Sequence, residues 1–484
     1  MNATLRRLAG VITVMFLMLM LAATSVQFFQ AGSLNADPRN VRTLYREYGT
    51  YRGPIVVAGT PIAYSEPIDD PYGYQRLYAD GPLYAPVTGF YSIVYGRSGM
   101  ELAENASLNG TVDSLFLQRV DDLITGRTSQ GATVELTIDP VVQQAAWDAL
   151  GDQAGAVVAL DPTTGAVLAM VSKPTYDPNI LASHVNADVV ANWTALTTDP
   201  TRPMDNRAIA GNTYPPGSVF KIITAAAAIE IGGLAADTVI PAPDELQLPL
   251  STNTLHNYGG QRCSPTGEQT LNESFAISCN TSFAQLGMDL GAPALQQMAA
   301  NFGFGRDLEI PLKVTPSYFP ESLDAPQTAL AAIGQYDVRV TPLQVAMVSA
   351  AIANDGVMMR PYLVSRVIDS DLTVLRETTP TQLATPISAA TASVLTDMMV
   401  ESVNHGTGTA ARIPGVTVAG KTGTAEHGAD APPHAWFTAF APADTPQVAV
   451  AVIVENGGDL GSEATGGAVA APIAKAVIRA VIER

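Results

Sequence analysis

Two pairs of apolar segments bracket a long stretch that favours helices, and this order constrains the fold more than any other feature of the sequence. Residues 156–160 and 166–171 flank the turn sequence Asp-Pro-Thr-Thr-Gly, and residues 435–440 and 448–454 flank a second turn. The helix-favouring segments between them are residues 221–231, 270–290, 294–302 and 341–353. We therefore predict an α+β domain over residues 155–484, with an antiparallel sheet built from both ends, flanking helices and an all-helical lobe.

Ser218 and Lys221 lie three residues apart at the start of the first of these helices, so their side chains share one helix face. A serine hydroxyl is a poor nucleophile until a base takes its proton, and a lysine is a base only when burial or a second cation lowers its pKa. Lys421 is the candidate for that second cation. The chain has only five lysines against 21 arginines, and two of the five belong to this pattern. Because arginine stays charged in proteins, this use of lysine indicates chemistry.

Two further motifs follow in order: residues 278–280 are Ser-Cys-Asn, and residues 421–424 are Lys-Thr-Gly-Thr. A Ser-x-x-Lys match alone is weak, but the three motifs together resemble the signatures of the penicillin-binding proteins and serine β-lactamases. A length of 484 residues leaves no room for a glycosyltransferase module before the transpeptidase region. The chain is therefore similar to the class B, monofunctional penicillin-binding proteins, in the short form found in actinobacteria.

The resemblance implies a peptidoglycan D,D-transpeptidase that β-lactams acylate, with no cofactor. In such an enzyme Ser218 attacks the penultimate D-Ala of a D-Ala-D-Ala stem peptide, and Lys221 accepts its proton. Ser278 relays a proton toward the leaving group, with Lys421 close to its hydroxyl. Asn280 binds the substrate backbone and the lysine. Which lysine is the general base stays open.

The third motif is implied to bind the substrate. Lys421, Thr422 and Thr424 would hold the substrate carboxylate, while Gly423 leaves room for the backbone. The oxyanion hole would use the backbone N–H groups of Ser218 and Thr424. Other stem peptides would supply the acceptor amine.

Two alternatives stay open. The first is a hydrolase of the same superfamily, either a D,D-carboxypeptidase or a β-lactamase. Class A β-lactamases use a Glu-x-x-x-Asn loop, and no glutamate between the second and third motifs has an asparagine four residues later. The second alternative is a non-catalytic scaffold of cell-wall assembly, which the intact motif residues Ser218, Lys221, Ser278 and Lys421 argue against.

An uncharged apolar run at residues 8–26 follows Arg6 and Arg7. Nineteen helical residues span about 28 Å, close to the hydrocarbon thickness of a bilayer. The run predicts a single transmembrane anchor, with residues 1–7 in the cytoplasm and the rest exported. A cleavable signal peptide remains the alternative, because residues 21–23, Leu-Ala-Ala, are an acceptable cleavage site.

Residues 27–154 contain no lysine, and their many tyrosines, prolines and glycines predict short strands and loops. They resemble the mostly β pedestal domain of the class B family, which implies docking to other membrane proteins of cell-wall synthesis, such as a glycan polymerase. A helix is expected at residues 139–151. The net charge of −19 argues against nucleic-acid binding, and the histidines show no metal-ligand spacing.

Cys263 and Cys279 are the only cysteines, and both lie in the part expected to be exported. That location favours a disulfide over two free thiols. The bridge would hold the loop before the second motif against the middle residue of the motif. Glu426 and His427, just after the third motif, belong either to the rim of the cleft or to a surface turn.

Overall fold

The computed structural model describes residues 2–31, 34, 48–112, 115, 130–211, 213–428 and 431–484. Its first α-helix, Asn2–Thr24, continues into a π-helical turn, Ser25–Phe29. The apolar side chains of this helix are exposed. The segment Ala3–Phe29 is long and apolar enough to cross a membrane, and it extends beyond the predicted run at residues 8–26 on both sides.

A five-stranded antiparallel sheet, the catalytic sheet, lies at the centre of the larger part of the molecule. Its strands, in spatial order, are Ala419–Ala425, His434–Ala441, Val448–Val454, Gly155–Leu160 and Val167–Lys173. This confirms the prediction that both ends of the domain build one sheet. The edge strand Ala419–Ala425 contains the whole of the third motif.

Both faces of the catalytic sheet are covered by helices, which explains why its central strands Val448–Val454 and Gly155–Leu160 are continuous apolar runs. On one face lie Lys221–Glu230, Pro342–Ala353 and Ala389–Asn404, and on the other lie Pro140–Leu150 and Ala471–Ile482. Trp436 faces the first layer and its neighbour Phe437 the second, as the two-residue period of a strand requires.

The helical lobe differs from the prediction at the second motif. The single helix expected over residues 270–290 is two helices, Leu271–Ala276 and Asn280–Leu290, separated by a turn in which Ser278 has φ 61°. The break frees the Ser278 carbonyl from a helical hydrogen-bond ladder.

The catalytic part has further α-helices at Asn179–Ala182, Asn186–Thr198, Ala292–Asn301 and Ala325–Ala332. It also has the strand pairs Val239–Pro241/Glu268–Thr270, Glu245–Gln247/Thr254–His256, Leu308–Glu309/Lys313–Val314 and Met358–Met359/Gln382–Ala384.

A second sheet, the pedestal sheet, has six strands. Their spatial order is Val374–Glu377, Val364–Ile368, Thr133–Leu136, Ile55–Val57, Thr60–Pro67 and Tyr74–Tyr78. The helices Gly81–Thr88, Gly99–Ala103 and Asn105–Leu108 and the strand pair Tyr91–Ser92/Gly96–Arg97 accompany it. The buried carboxylate of Glu101 pairs with Arg52 at 2.5 Å and with Arg76 at 2.7 Å.

Two segments cross the boundary predicted between residues 154 and 155. Val364–Ile368 and Val374–Glu377 follow that boundary in sequence but complete the pedestal sheet. The predicted helix at residues 139–151 is Pro140–Leu150, capped by Asp139, and it packs against the C-terminal helix of the catalytic part. The boundary between residues 154 and 155 therefore remains a prediction. It divides the chain by sequence position and does not say which segments pack together.

Candidate active site

A glycine with a constrained backbone, Gly217, comes directly before the first motif. Gly217 has φ 54°, and a Cβ added to it would lie 2.5 Å from the carbonyl oxygen of Thr424 on the edge strand. Only glycine allows this approach. Residues Gly217–Phe220 form a 3₁₀ turn that leads into the helix Lys221–Glu230, which places Ser218 at the start of a helix as predicted. The Trp436 indole donates to the carbonyl of Pro215 at 3.0 Å and holds the preceding loop.

Ser218 is half-buried, and the described part of the chain offers its hydroxyl no hydrogen-bond partner. The hydroxyl is therefore available to a ligand. Free backbone N–H groups at the beginning of a helix, together with the helix dipole, favour negative charge near this serine.

Lys221 joins the first motif to the second. Its fully buried amino group donates to the Ser278 carbonyl and to Asn280 Oδ1, each at 2.7 Å, and lies 3.2 Å from Ser278 Oγ. The two short contacts are made to atoms that only accept hydrogen bonds. They use both N–H groups of a neutral amine, so its lone pair is left for a hydroxyl.

Lys421 is also fully buried, but it has fewer partners. Its Nζ donates to the carbonyl of Thr422 at 3.0 Å and lies 5.5 Å from the centre of the Phe275 ring. Among the residues that the structure describes, no hydrogen bond joins it to Ser278, whose hydroxyl contacts Lys221 instead. The structure thus brings Ser278 and Asn280 to the first-motif lysine.

Burial controls the charge of both lysines. It lowers the pKa of Lys421 to about 7. The pKa of Lys221 is lowered well below its usual value of 10.5, mainly by burial and to a smaller extent by the nearby charge of Lys421. A neutral amine at neutral pH is able to accept a proton, and this is the condition that the sequence pattern required.

The remaining residues of the third motif lie on the free edge of the catalytic sheet. Thr422 is buried, and its hydroxyl lies 2.5 Å from the hydroxyl of Thr407, whereas the half-buried Thr424 has no side-chain hydrogen bond within the described ranges. A Cβ added to Gly423 would come within 3.0 Å of Pro216, Val219 and Trp436. This glycine is therefore needed for packing against the first motif.

Two residues outside the three motifs, Asn257 and Thr407, hold the motifs in place and carry no sequence signal of their own. The Asn257 side-chain oxygen accepts hydrogen bonds from the backbone N–H groups of Asn280 and Thr281, at 2.9 and 3.1 Å, and so caps the second-motif helix. Thr407, as described above, bonds to Thr422, and its own N–H donates to the carbonyl of Ala276 at 3.2 Å. Neither residue is near its partner in sequence, so no local pattern marks it.

A disulfide joins Cys263 to Cys279, with 5.8 Å between the Cα atoms. It ties the loop that carries Asn257 to the turn of the second motif. In the part of the chain that the structure describes, no group of three or more histidine, cysteine, aspartate or glutamate side chains is arranged to hold a metal ion.

A large cleft of about 1590 Å³ runs beside these motifs. Its lining includes Asn280 of the second motif and both Glu426 and His427, which are exposed at the rim. The His427 ring stacks on buried His434 with 3.8 Å between ring centres. Burial, with a smaller effect from His427, lowers the pKa of His434 to about 3.

Comparison with known families gives two matches. The penicillin binding protein transpeptidase domain matches residues 155–479, and the penicillin binding protein A dimerisation domain matches residues 52–134.

Individual relatives match over the whole chain. The chain is 49% identical to peptidoglycan D,D-transpeptidase PbpA of Mycolicibacterium smegmatis and 47% identical to that of Mycobacterium tuberculosis H37Rv, each alignment covering 100% of this chain and 99% of the relative. The ceftriaxone acyl-enzyme complex of penicillin-binding protein A from M. tuberculosis has a TM-score of 0.87 and 45% identity, covering 90% of this chain and 100% of that one.

Proposed function

Because the chain belongs to the penicillin-binding protein transpeptidase family, we propose that its three motifs carry out acyl transfer through Ser218 during peptidoglycan cross-linking. The chain is a peptidoglycan D,D-transpeptidase that β-lactams acylate. The observation that best supports these residue roles is the contact of the buried Lys221 amine with Ser278 and Asn280, at the start of the Ser218 helix.

In the first step, Ser218 Oγ attacks the carbonyl carbon of the penultimate D-Ala in a D-Ala-D-Ala stem peptide. Lys221 accepts the hydroxyl proton, since its pKa is lowered by burial and by a neighbouring cation. The negative charge that develops on the carbonyl oxygen is held by the N–H groups of Ser218 and Thr424, which the close approach at Gly217 supports. One such donor contributes about 3 kcal/mol of transition-state stabilisation.

In the second step the bond to the terminal D-Ala breaks, and the leaving amine needs a proton. Ser278 relays it, because its hydroxyl lies 3.2 Å from the lysine that took the proton from Ser218. Lys421, with Thr422 and Thr424, binds the carboxylate of the leaving D-Ala. The amine of a second stem peptide then attacks the ester carbonyl and releases Ser218.

The site works at a membrane in this proposal. The exposed apolar helix Ala3–Phe29 anchors the chain, with Arg6 and Arg7 on the cytoplasmic side and the catalytic domain outside. Residues 27–154 are a pedestal that docks other membrane proteins of cell-wall synthesis, such as a glycan polymerase. The anchor keeps Ser218 near newly made glycan.

Intact-protein mass spectrometry after exposure to penicillin tests the residue assignment. We expect one stable adduct per chain, located on Ser218 by peptide mapping and absent from Ser218→Ala. Ser322→Ala, which changes an exposed serine, should keep the adduct. An adduct elsewhere in folded protein would contradict the proposal, and fast loss of the adduct with drug turnover would favour a β-lactamase.

A further inference from the structure

A single turn at residues 331–335 contacts both sides of the proposed oxyanion hole. It follows the helix Ala325–Ala332 and is held to it by hydrogen bonds from Gly334 N–H to Ala331 and from Gln335 N–H to Leu330, at 2.9 and 3.0 Å. The helix itself lies close to the second-motif helix, since a Cβ added to Gly287 would lie 2.2 Å from Cβ of Ala332. These contacts fix the position of the turn relative to the second-motif helix.

On one side the turn holds the backbone next to Ser218. The Gly334 carbonyl accepts the N–H of Gly217 at 2.9 Å. Gly334 has φ 73°, and a Cβ added to it would lie 2.1 Å from the carbonyl oxygen of Gly217. The two glycine backbones are therefore in direct contact, and the position of the Ser218 N–H depends on the turn.

On the other side the turn holds the end of the edge strand. The half-buried Gln335 side-chain amide faces both backbone polar atoms of Glu426. In the orientation that satisfies both, it donates to the Glu426 carbonyl at 3.3 Å and accepts from the Glu426 N–H at 3.2 Å. This is the pairing that a neighbouring strand would otherwise supply.

Glu426 is the first residue after the strand and lies two residues, about 6.6 Å of extended chain, beyond Thr424, so the backbone polar groups of both face the same edge of the sheet. The Thr424 carbonyl contacts Gly217 on that edge, which no other strand of the catalytic sheet covers. Strand pairing with His434–Ala441 ends at Ala425. Just beyond that point, the Gln335 side chain contacts the chain on its free side.

We infer that Gln335 is a positioning residue of the oxyanion hole: its two hydrogen bonds to Glu426, together with the Gly334–Gly217 bond, set the separation of the Thr424 and Ser218 N–H groups. The inference rests on the function proposed above. Gln335 acts on the oxyanion hole through the backbone of Glu426. It acts on the rate of acylation rather than on the first, non-covalent binding of the substrate.

Stopped-flow acylation by penicillin separates the dissociation constant of the initial complex from the acylation rate constant. For Gln335→Ala we expect the rate constant to fall between about tenfold and a hundredfold, less than the 10² to 10³ that follows loss of a donor itself. The dissociation constant, the titratable fraction and the melting temperature should stay near the wild-type values. Gln297→Ala, at an exposed glutamine of another helix, is the matched control and should leave all of these unchanged.

Gln335→Glu supplies a readout that a purely structural role would not produce. An ionised carboxylate keeps the contact to the Glu426 N–H but repels its carbonyl, whereas a protonated carboxyl donates to that carbonyl. The acylation rate of Gln335→Glu relative to Gln335→Ala should therefore rise at least about fivefold from pH 8 to pH 5. Both variants share the side chains of Glu426, His427 and the two motif lysines, whose titration cancels in this ratio.

Wild-type acylation rates in both variants would overturn the inference. An equal loss of initial binding, titratable protein and acylation rate in Gln335→Ala would also overturn it. So would a ratio of the Gln335→Glu rate to the Gln335→Ala rate that does not change with pH. If Gln335→Ala does not fold, Gln335→Glu, which keeps the volume, carries the test through the pH dependence of its rate relative to wild type. Absence of any penicillin adduct in the wild type would instead overturn the proposed function, and this inference with it.

Discussion

At the scale of single residues, the two motif lysines are set apart by their partners. The amine of Lys221 contacts three oxygens of the second motif, whereas Lys421 donates to a single backbone carbonyl. The motif pattern indicated that these lysines serve chemistry rather than a solvated surface, and both are buried, unlike most lysines. The family resemblance implied that Lys421 lies close to the Ser278 hydroxyl, but Lys221 contacts it instead, because that contact depends on how two distant segments pack.

Substituting Lys221→Arg tests the proton acceptor. Arginine carries a permanent positive charge and cannot accept a proton, so penicillin acylation should fall by about 10³ or more while the fold is retained. The measurement is the rate of labelling by a fluorescent penicillin, with circular dichroism to verify folding. Lys313→Arg, at an exposed lysine, is the matched control. Near-normal labelling of Lys221→Arg would show that another group accepts the proton.

His434 makes the protein sensitive to acid. Its pKa is about 3 in the folded chain, whereas an unfolded histidine titrates near 6.5. Below pH 6.5 the unfolded state binds a proton that the folded state does not, so stability falls toward pH 3 by up to about 1.4 kcal/mol per pH unit. The melting temperature of the wild type should therefore fall, relative to His434→Gln, between pH 6.5 and pH 4. A constant difference would contradict this, and His256→Gln, at an exposed histidine, should follow the wild type.

At the scale of elements, periodicity predicted the strands well and failed at one helix. The strand pairs near residues 160 and 445 are where the apolar runs placed them, because their turns are coded locally. The segment 270–290 has helix-forming residues throughout, yet Ser278 adopts φ 61°. Contacts with Lys221, Asn257 and Cys263 surround this turn, and all three come from other parts of the chain. Tertiary contacts thus override a local preference at the site itself.

The disulfide between Cys263 and Cys279 should stabilise both the fold and the second motif. Closing a loop of this length contributes about 3 kcal/mol, chiefly by restricting the unfolded chain. Cys263→Ser should lower the melting temperature and slow penicillin acylation together, because the Asn257 loop loses its link to the helix that it caps. Reductant should produce the same two effects in the wild type and neither in the double variant Cys263→Ser/Cys279→Ser. A reductant effect of equal size in both proteins would argue against the bridge.

At the scale of the whole molecule, patterning predicted the catalytic fold and an N-terminal apolar helix long enough to cross a membrane, but it did not predict which strands form the pedestal sheet. Val364–Ile368 and Val374–Glu377 resemble any short hairpin in sequence. Their place beside Thr133–Leu136 depends on a contact across more than 200 residues, for which no local pattern exists.

Cross-linking activity is best measured on the chain that retains the apolar helix Ala3–Phe29, inserted in a membrane. Given lipid-linked substrate and a glycan polymerase, the wild type should accumulate cross-linked stem-peptide dimers, because an acceptor amine is then close to the acyl-enzyme. Chromatography of digested glycan measures the dimers, and Ser218→Ala should yield none. Wild-type protein already acylated by penicillin is a second control. Release of D-Ala without any dimer, while polymerisation proceeds, would identify a D,D-carboxypeptidase instead.

The pedestal sheet contains strands from both sides of residue 154, and this affects how the protein resists force. Main-chain hydrogen bonds join Val364–Ile368 to Thr133–Leu136, and that strand in turn pairs with Ile55–Val57. Tension directed along these strands would load several of the bonds at once, in shear, rather than peel them one by one. Within the described ranges, the pedestal sheet thus joins segments from both sides of residue 154, and a force that separates them has to break main-chain hydrogen bonds of that sheet.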